Sequence, residues 1–177
     1  MKKWLSLLGA ITLIGTSTAS LVACNNKTKI HEYTLEELEH LKQENQIYTN
    51  WQEIKNNLEW ICPQEKPFNK VDNKYYFVVW KGDNQWNINK FKNDEFPKQI
   101  IPNSKGKDKI LINYGDFTAG QREKELFFVY RDSLTIKYWS DDIEGSYFKY
   151  VYRWNGGEEN LPYLVVNNDG NIKVNGE

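Results

Sequence analysis

The sequence predicts an α+β domain: an N-terminal amphipathic helix packed on an antiparallel β-sheet meander. Three observations predict it. From Leu35 to about Trp60, apolar residues recur at steps of three and four. Pro63 and Pro67 then prevent any continuation of that helix. The remainder reads as β-prone runs of Val, Ile, Tyr, Phe and Trp, separated by turns bearing Gly, Asn and Asp. One domain over residues 34–177 has length enough for a sizeable core.

Each element has a local reason. Thr34-Leu35-Glu36-Glu37 is a capping box, with a threonine cap and a glutamate three positions on. Leu35, Leu38, Leu41, Ile47, Trp51, Ile54, Leu58 and Ile61 form the helix stripe, with a break allowed near Asn45. Tyr75–Lys81 and Gln85–Lys92 form a hairpin about Gly82-Asp83-Asn84. Asn93 to Gly106 reads as a polar loop with Pro97 and Pro102. Lys109 to Tyr114 alternates Ile110, Ile112 and Tyr114. Glu125–Arg131 and Leu134–Trp139 form a second hairpin about Asp132-Ser133. Ser146 to Trp154 places Phe148, Tyr150, Tyr152 and Trp154 on one face, and Lys149, Val151 and Arg153 on the other. Tyr163–Val166 and Asn171–Val174 pair around Asn168-Asp169-Gly170, which suits a tight primed turn.

Ahead of the domain stands a different kind of segment. Lys2 and Lys3 are a basic head, Trp4 to Leu13 is mostly apolar, and Gly15 to Ser20 is small. Leu21-Val22-Ala23-Cys24 follows. That order is how an export signal is built. Residues 1–23 are therefore expected to be a signal peptide, and residues 24–33 a lipidated Cys24 with a polar tether. Ala23 is small enough for a peptidase site, and the Cys24 thiol is the readiest nucleophile to alkylate. Trp4 to Ala23 is long enough to cross a bilayer. However, Ser6, Thr12, Thr16, Ser17, Thr18 and Ser20 dilute it, which argues against an uncleaved span.

Leu21-Val22-Ala23-Cys24 resembles the lipobox of bacterial lipoproteins. The leader from Met1 through Asn26 is similar to those of mollicute lipoproteins, in particular the spiroplasma type. Lys and Asn dominate the polar residues and Trp occurs seven times, which fits an AT-rich genome that reads UGA as Trp. The resemblance covers the leader alone. It implies the outer face of the plasma membrane and a partner that is the membrane itself, reached through a lipid anchor.

Charge is near balance, with 23 Lys and Arg against 24 Asp and Glu. The leader takes two of the lysines, so the domain is slightly acidic. That argues against nucleic acid as a partner, since binding it needs a basic surface. With Cys24 lipidated, Cys62 alone remains and cannot form an internal disulfide. Cys62 reads as a small buried apolar residue. A catalytic thiol would need His31 or His40, one in the tether and one on the helix. Asp141, Asp142 and Glu144 before Gly145 form an acidic loop without EF-hand spacing, better read as a solvated turn than as a calcium site. Asn167 to Asn171 also lacks the calcium pattern. Lys105-Gly106-Lys107-Asp108-Lys109 is a solvated basic loop. The chain has no P-loop, G-x-S-x-G, H-E-x-x-H or C-x-x-C motif. No catalytic, cofactor or metal residue is assigned.

The aromatics carry the remaining signal. Phe148, Tyr150, Tyr152 and Trp154 alternate as a core face does. Trp139 shares a face with Thr135 and Lys137, so it either marks a contact surface or packs under a loop. The expectation is a surface lipoprotein whose domain binds a host macromolecule, a glycan or a membrane protein. Alternatives are an anchored hydrolase with an Asp/Glu pair, which has no local signature, and an accessory subunit of a membrane complex.

Overall fold

The structure is a computed structural model, and it describes residues 31–96, 98–105, 109–114, 123–133 and 135–177. Two short helices come first, α1 (Leu35–Glu44) and α2 (Gln52–Asn57). Ten strands follow: β1 (Leu58–Trp60), β2 (Tyr75–Gly82), β3 (Gln85–Lys92), β4 (Lys98–Lys105), β5 (Lys109–Tyr114), β6 (Glu125–Tyr130), β7 (Ile136–Tyr138), β8 (Phe148–Trp154), β9 (Leu164–Val166) and β10 (Ile172–Val174). All pairings are antiparallel. One sheet runs β1-β8-β2-β3 and a second β4-β5-β6-β7, while β9 and β10 form a separate hairpin.

Tyr76-Phe77-Val78-Val79-Trp80 decides the architecture. All five are buried, although successive side chains point to opposite faces of a strand. β2 is therefore covered on both sides, as a continuous apolar run requires. On one face Tyr76, Val78, Trp80 and Phe91 meet Ile101, Leu111, Leu126 and Phe128 of the second sheet. On the other face Phe77, Tyr152 and Trp154 pack with Ile47, Ile54, Leu164 and Val174. The first sheet is thus the middle of three layers, flanked by the second sheet and by a layer of short helices and the β9–β10 hairpin.

The fold is β-rich, which corrects the α+β expectation of one long N-terminal amphipathic helix. The predicted helix over Leu35–Trp60 divides into α1, α2 and β1. The capping box forms as expected: Glu37 N–H donates to Thr34 Oγ1 at 3.2 Å, and Thr34 N–H to Glu37 Oε2 at 2.8 Å. α1 then stops at Asn45, whose Nδ2 donates back to Leu41 O at 2.9 Å. Ile47, Tyr48, Thr49 and Asn50 are poor helix formers. Tyr152 Oη donates to the Asn45 carbonyl at 2.8 Å and holds the break open to the sheet. Leu58 leaves the helix to pair opposite Trp154. The stripe is consequently not one face: Leu38, Ile47, Ile54, Leu58 and Ile61 are buried, while Leu35 is 87% and Trp51 59% exposed.

Four further expectations shift. Part of the predicted Asn93–Gly106 loop is β4, because Ile101 enters the core. Pro102 falls where the register slips between Ile100 and Lys105, and Asn103 has φ 56°. A proline without an N–H fits such an irregularity. In β5 Lys109, Leu111 and Asn113 are buried, whereas Ile112 of the expected alternation is only partly so. The pairing sets Leu111 against Phe128 and Asn113 against Leu126, both core residues. In β8 a bulge breaks the expected alternation: Val79 opposes Tyr150 but Trp80 opposes Phe148. The extra residue swings Phe148 onto the side of Val151, away from Tyr152 and Trp154. The β9–β10 turn is not a two-residue primed turn. Gly170 N–H donates to Asn167 O at 3.0 Å and Gly170 itself has φ 80°, a turn capped by a left-handed glycine.

Candidate functional site

The β9–β10 hairpin lies along β3 and is held at its turn, while the segment that leads into β9 is held at Glu158. At the turn Gly170 rests on Trp86: a Cβ there would come within 2.8 Å of the indole. Lys149 Nζ secures the turn by donating to Asn171 Oδ1 at 2.9 Å and to the Asp169 carbonyl. Ahead of β9 Lys92 Nζ donates to Glu158 Oε2 at 3.1 Å, and Tyr75 Oη donates to the same carboxylate. Between these two points is a cleft of about 460 Å³. Phe77, Ile88 and Leu164 supply its apolar lining, with Pro162, Tyr163 and Lys90 at the rim. Tyr163 is 71% exposed. Among the described residues lining the cleft, Lys90 is the one charged group. Such a lining suits an apolar group with a negative charge beside it.

A polar network occupies the far edge of the first sheet. Glu59, Arg153, Tyr76 and Phe91 stand in one cross-strand row over β1, β8, β2 and β3. Glu59 accepts from Lys42 Nζ at 2.6 Å, Arg153 Nη2 at 2.7 Å and Asn155 Nδ2 at 2.9 Å. Lys42 also reaches Glu65 Oε1 at 2.6 Å. Burial alone would raise the Glu59 carboxyl, but the bonds from Lys42, Asn155 and Arg153 outweigh it and hold it at about 2. Glu59 and Glu65 are therefore two carboxylates sharing one cation. A general acid for glycoside cleavage needs the opposite, a carboxyl raised toward neutrality. Farther along, Tyr76 Oη donates to Asp72 at 2.7 Å, and Asp72 accepts from Asn93 at 3.0 Å. Asn93 accepts from Lys124 at 3.3 Å, and Lys124 is 1% exposed. Burial pushes the Lys124 ammonium below the ordinary lysine value.

The sequence-predicted residues fare unequally. Cys24, the leader 1–23 and the tether up to residue 30 lie outside the described residues, as do 106–108 of the basic loop. Cys62 is buried and free, with its thiol pushed up by burial, the reverse of an activated thiolate. His31 sits against Glu37 and Tyr33, and His40 against Glu44, so neither imidazole joins it. Asp142 accepts from the N–H groups of Ser146, Tyr147 and Phe148 at 2.7–3.0 Å and so anchors the start of β8. Asp141 and Glu144 are exposed. Asn167 Oδ1 caps its own turn by accepting from Asp169 N–H and Asn171 N–H. Lys109 is buried, donates to Lys81 O at 3.1 Å and lies over the Phe128 and Tyr130 rings. Among the described residues no three His, Cys, Asp or Glu gather as a metal site, and no helix is long and apolar enough to cross a membrane.

Trp139 is not a contact residue. It is 7% exposed and its ring lies 6.1 Å from that of Phe68. The second reading of this residue, packing under a loop, is the correct one. The sequence reading did not single out Tyr163, and no local signal marks it: its exposure depends on where the β9–β10 hairpin docks.

Comparison of the chain with protein-family models, curated proteins and solved structures finds no match in any of the three.

Proposed function

We propose that this chain is a lipoprotein held through Cys24 at the outer face of the plasma membrane, and that its β-rich domain captures an extracellular glycan or protein. The observation that carries this reading is the leader: a basic head, an apolar middle and a small-residue exit into Leu21-Val22-Ala23-Cys24. Two acyl chains on one cysteine anchor durably, because each buried CH₂ contributes about 0.8 kcal/mol. The cleft beneath Tyr163 supports a binding role. It offers an exposed ring over an apolar lining.

Phase partition tests the anchor. Native protein should enter the detergent phase, and mass spectrometry should find an acylated N-terminal Cys24. Cys24→Ser should move to the aqueous phase with its leader uncleaved. An unmodified Cys24 thiol in native material would overturn the proposal.

A further inference from the structure

Beside the β2–β3 turn lies a second concavity of about 130 Å³. Its polar lining is Asp83, Gln85, Asn87, Asn89, Asn103 and Ser104, with Trp80 beneath. Trp80 Nε1 donates to Asn89 Oδ1 at 2.7 Å, and Asn89 Nδ2 donates to Pro102 O at 3.1 Å. Both ends of that buried carboxamide are used, so this side of the pocket is rigid. Asn87 Nδ2 donates to Gln85 O at 2.9 Å and to Gly82 O at 3.3 Å, which leaves its Oδ1 as an open acceptor. Gly82 lies close against this seat: a Cβ there would sit 3.0 Å from Asn87 Nδ2 and 3.2 Å from the Trp80 ring, so these would have to shift by a few tenths of an ångström. The carboxamides of Gln85 and Asn103 make no hydrogen bond to other described residues.

The chemistry of this lining is selective. Among the described residues it holds no Lys or Arg, which disfavours an anion. It holds one carboxylate, Asp83, whereas a calcium ion takes six to eight oxygens and usually several carboxylates. An apolar ligand would strand open amide groups without partners. A carboxamide offers a donor and an acceptor side by side, and each sugar hydroxyl also donates and accepts. The space of about 130 Å³ is well above the roughly 10–15 Å³ that admits a single water and far below the roughly 300–1,000 Å³ of a drug-sized pocket, which suits one small polar ring. We infer that this pocket binds a single neutral sugar ring, with Asn87 Oδ1 accepting from it and Gln85 and Asn103 closing over its hydroxyls. The inference rests on the extracellular binding role above and adds a site of its own to it. It separates the sugar site from the apolar cleft at Tyr163.

Saturation-transfer NMR on the full chain in detergent micelles tests it. The probes are the methyl glycosides of glucose, galactose, mannose and N-acetylglucosamine at millimolar concentration, with inorganic phosphate as the anionic control. At least one glycoside should receive saturation at its ring protons. The Gln85→Ala/Asn103→Gly double variant should weaken that binding about tenfold or more at an unchanged melting temperature; glycine keeps the positive φ of position 103. No transfer to any glycoside, equal binding by the double variant, or tighter binding of phosphate would each overturn the assignment. Glycoside binding by a protein that partitions into water would sink the anchor alone and uphold the pocket.

Discussion

Glu59 and Arg153 face each other across β1 and β8, with Nη2 of the arginine 2.7 Å from Oε2 of the glutamate. Lys42 from α1 completes the triad at 2.6 Å. The pair thus ties the first helix to a central strand. A free glutamate titrates near 4.5 and this one near 2. On acidification the unfolded chain takes up this proton before the folded one does. The stabilisation is therefore nearly complete above about pH 4.5 and fades as the pH falls toward 2, on the order of 3 kcal/mol in all. Glu59→Gln should lose most of that stability at pH 7 and flatten the melting temperature against pH below 5. An acid limb as steep as that of the parent protein would refute the assignment.

Trp139→Ala should destabilise the fold by about 3–5 kcal/mol, the range for emptying a buried aromatic site. Urea unfolding reads this directly. Tyr163→Ala, at an exposed position, should stay within about 0.5 kcal/mol of the parent. Equal effects at the two positions would reverse the distinction between core and contact aromatic.

Local chemistry was legible and long-range pairing was not. The Thr34–Glu37 capping box and the Asp83-Asn84 turn, with φ 46° and 74°, depend on neighbours within a few residues. β1 depends on β8, far along the chain, so the apolar spacing near Leu58 reads as helix until that partner is known. The β8 bulge moves Phe148 to the opposite face for an equally distant reason, its pairing with Trp80. Asn113 faces the core because Leu111 and Leu126 do. The cleft at Tyr163 joins β2 and β3 to the remote segment around β9 and so leaves no motif, whereas the pocket at the β2–β3 turn is built mainly from that one hairpin, with Asn103 and Ser104 added from β4. The expectation of a binding role rested on the anchor and tether, on an aromatic-rich sheet without an evident reactive group, and on Trp139, which is buried.

Asn113 and Asn93 are both fully buried carboxamides, but they differ in partners. Asn93 bonds Lys70 O at 2.8 Å, Asp72 at 3.0 Å and Lys124 at 3.3 Å. Neither side-chain polar atom of Asn113 bonds another described residue. Asn113→Leu should leave the melting temperature level or raise it, since an apolar replacement of similar size strands no partner. Asn93→Leu should cost about 3 kcal/mol, because it removes the bonds to Lys70 O, to the Asp72 carboxylate and from the buried Lys124 at once, although Asp72 keeps Tyr76 and Lys124 keeps the Glu95 carbonyl. Equal losses at the two sites would show that Asn113 is as fully engaged as Asn93.

The β9–β10 hairpin should answer to a single glycine. Gly170 has φ 80°, a region that costs an L side chain about 1–2 kcal/mol. An alanine Cβ would also sit 2.7 Å from Lys149 Cδ and 2.8 Å from the Trp86 ring. The lysine tip can give way, but the indole is held under the turn. Gly170→Ala should therefore destabilise by about 2–4 kcal/mol and loosen the hairpin that walls the cleft, raising amide exchange across Leu164–Val174. Asn84→Gly tests the same logic with the opposite sign. Asn84 already holds φ 74° in a tight hairpin turn, where glycine meets no strain, so this change should raise stability by a few tenths of a kcal/mol. A stabilised Gly170→Ala would mean that the hairpin does not rest on Trp86, and the cleft walls would have to be redrawn.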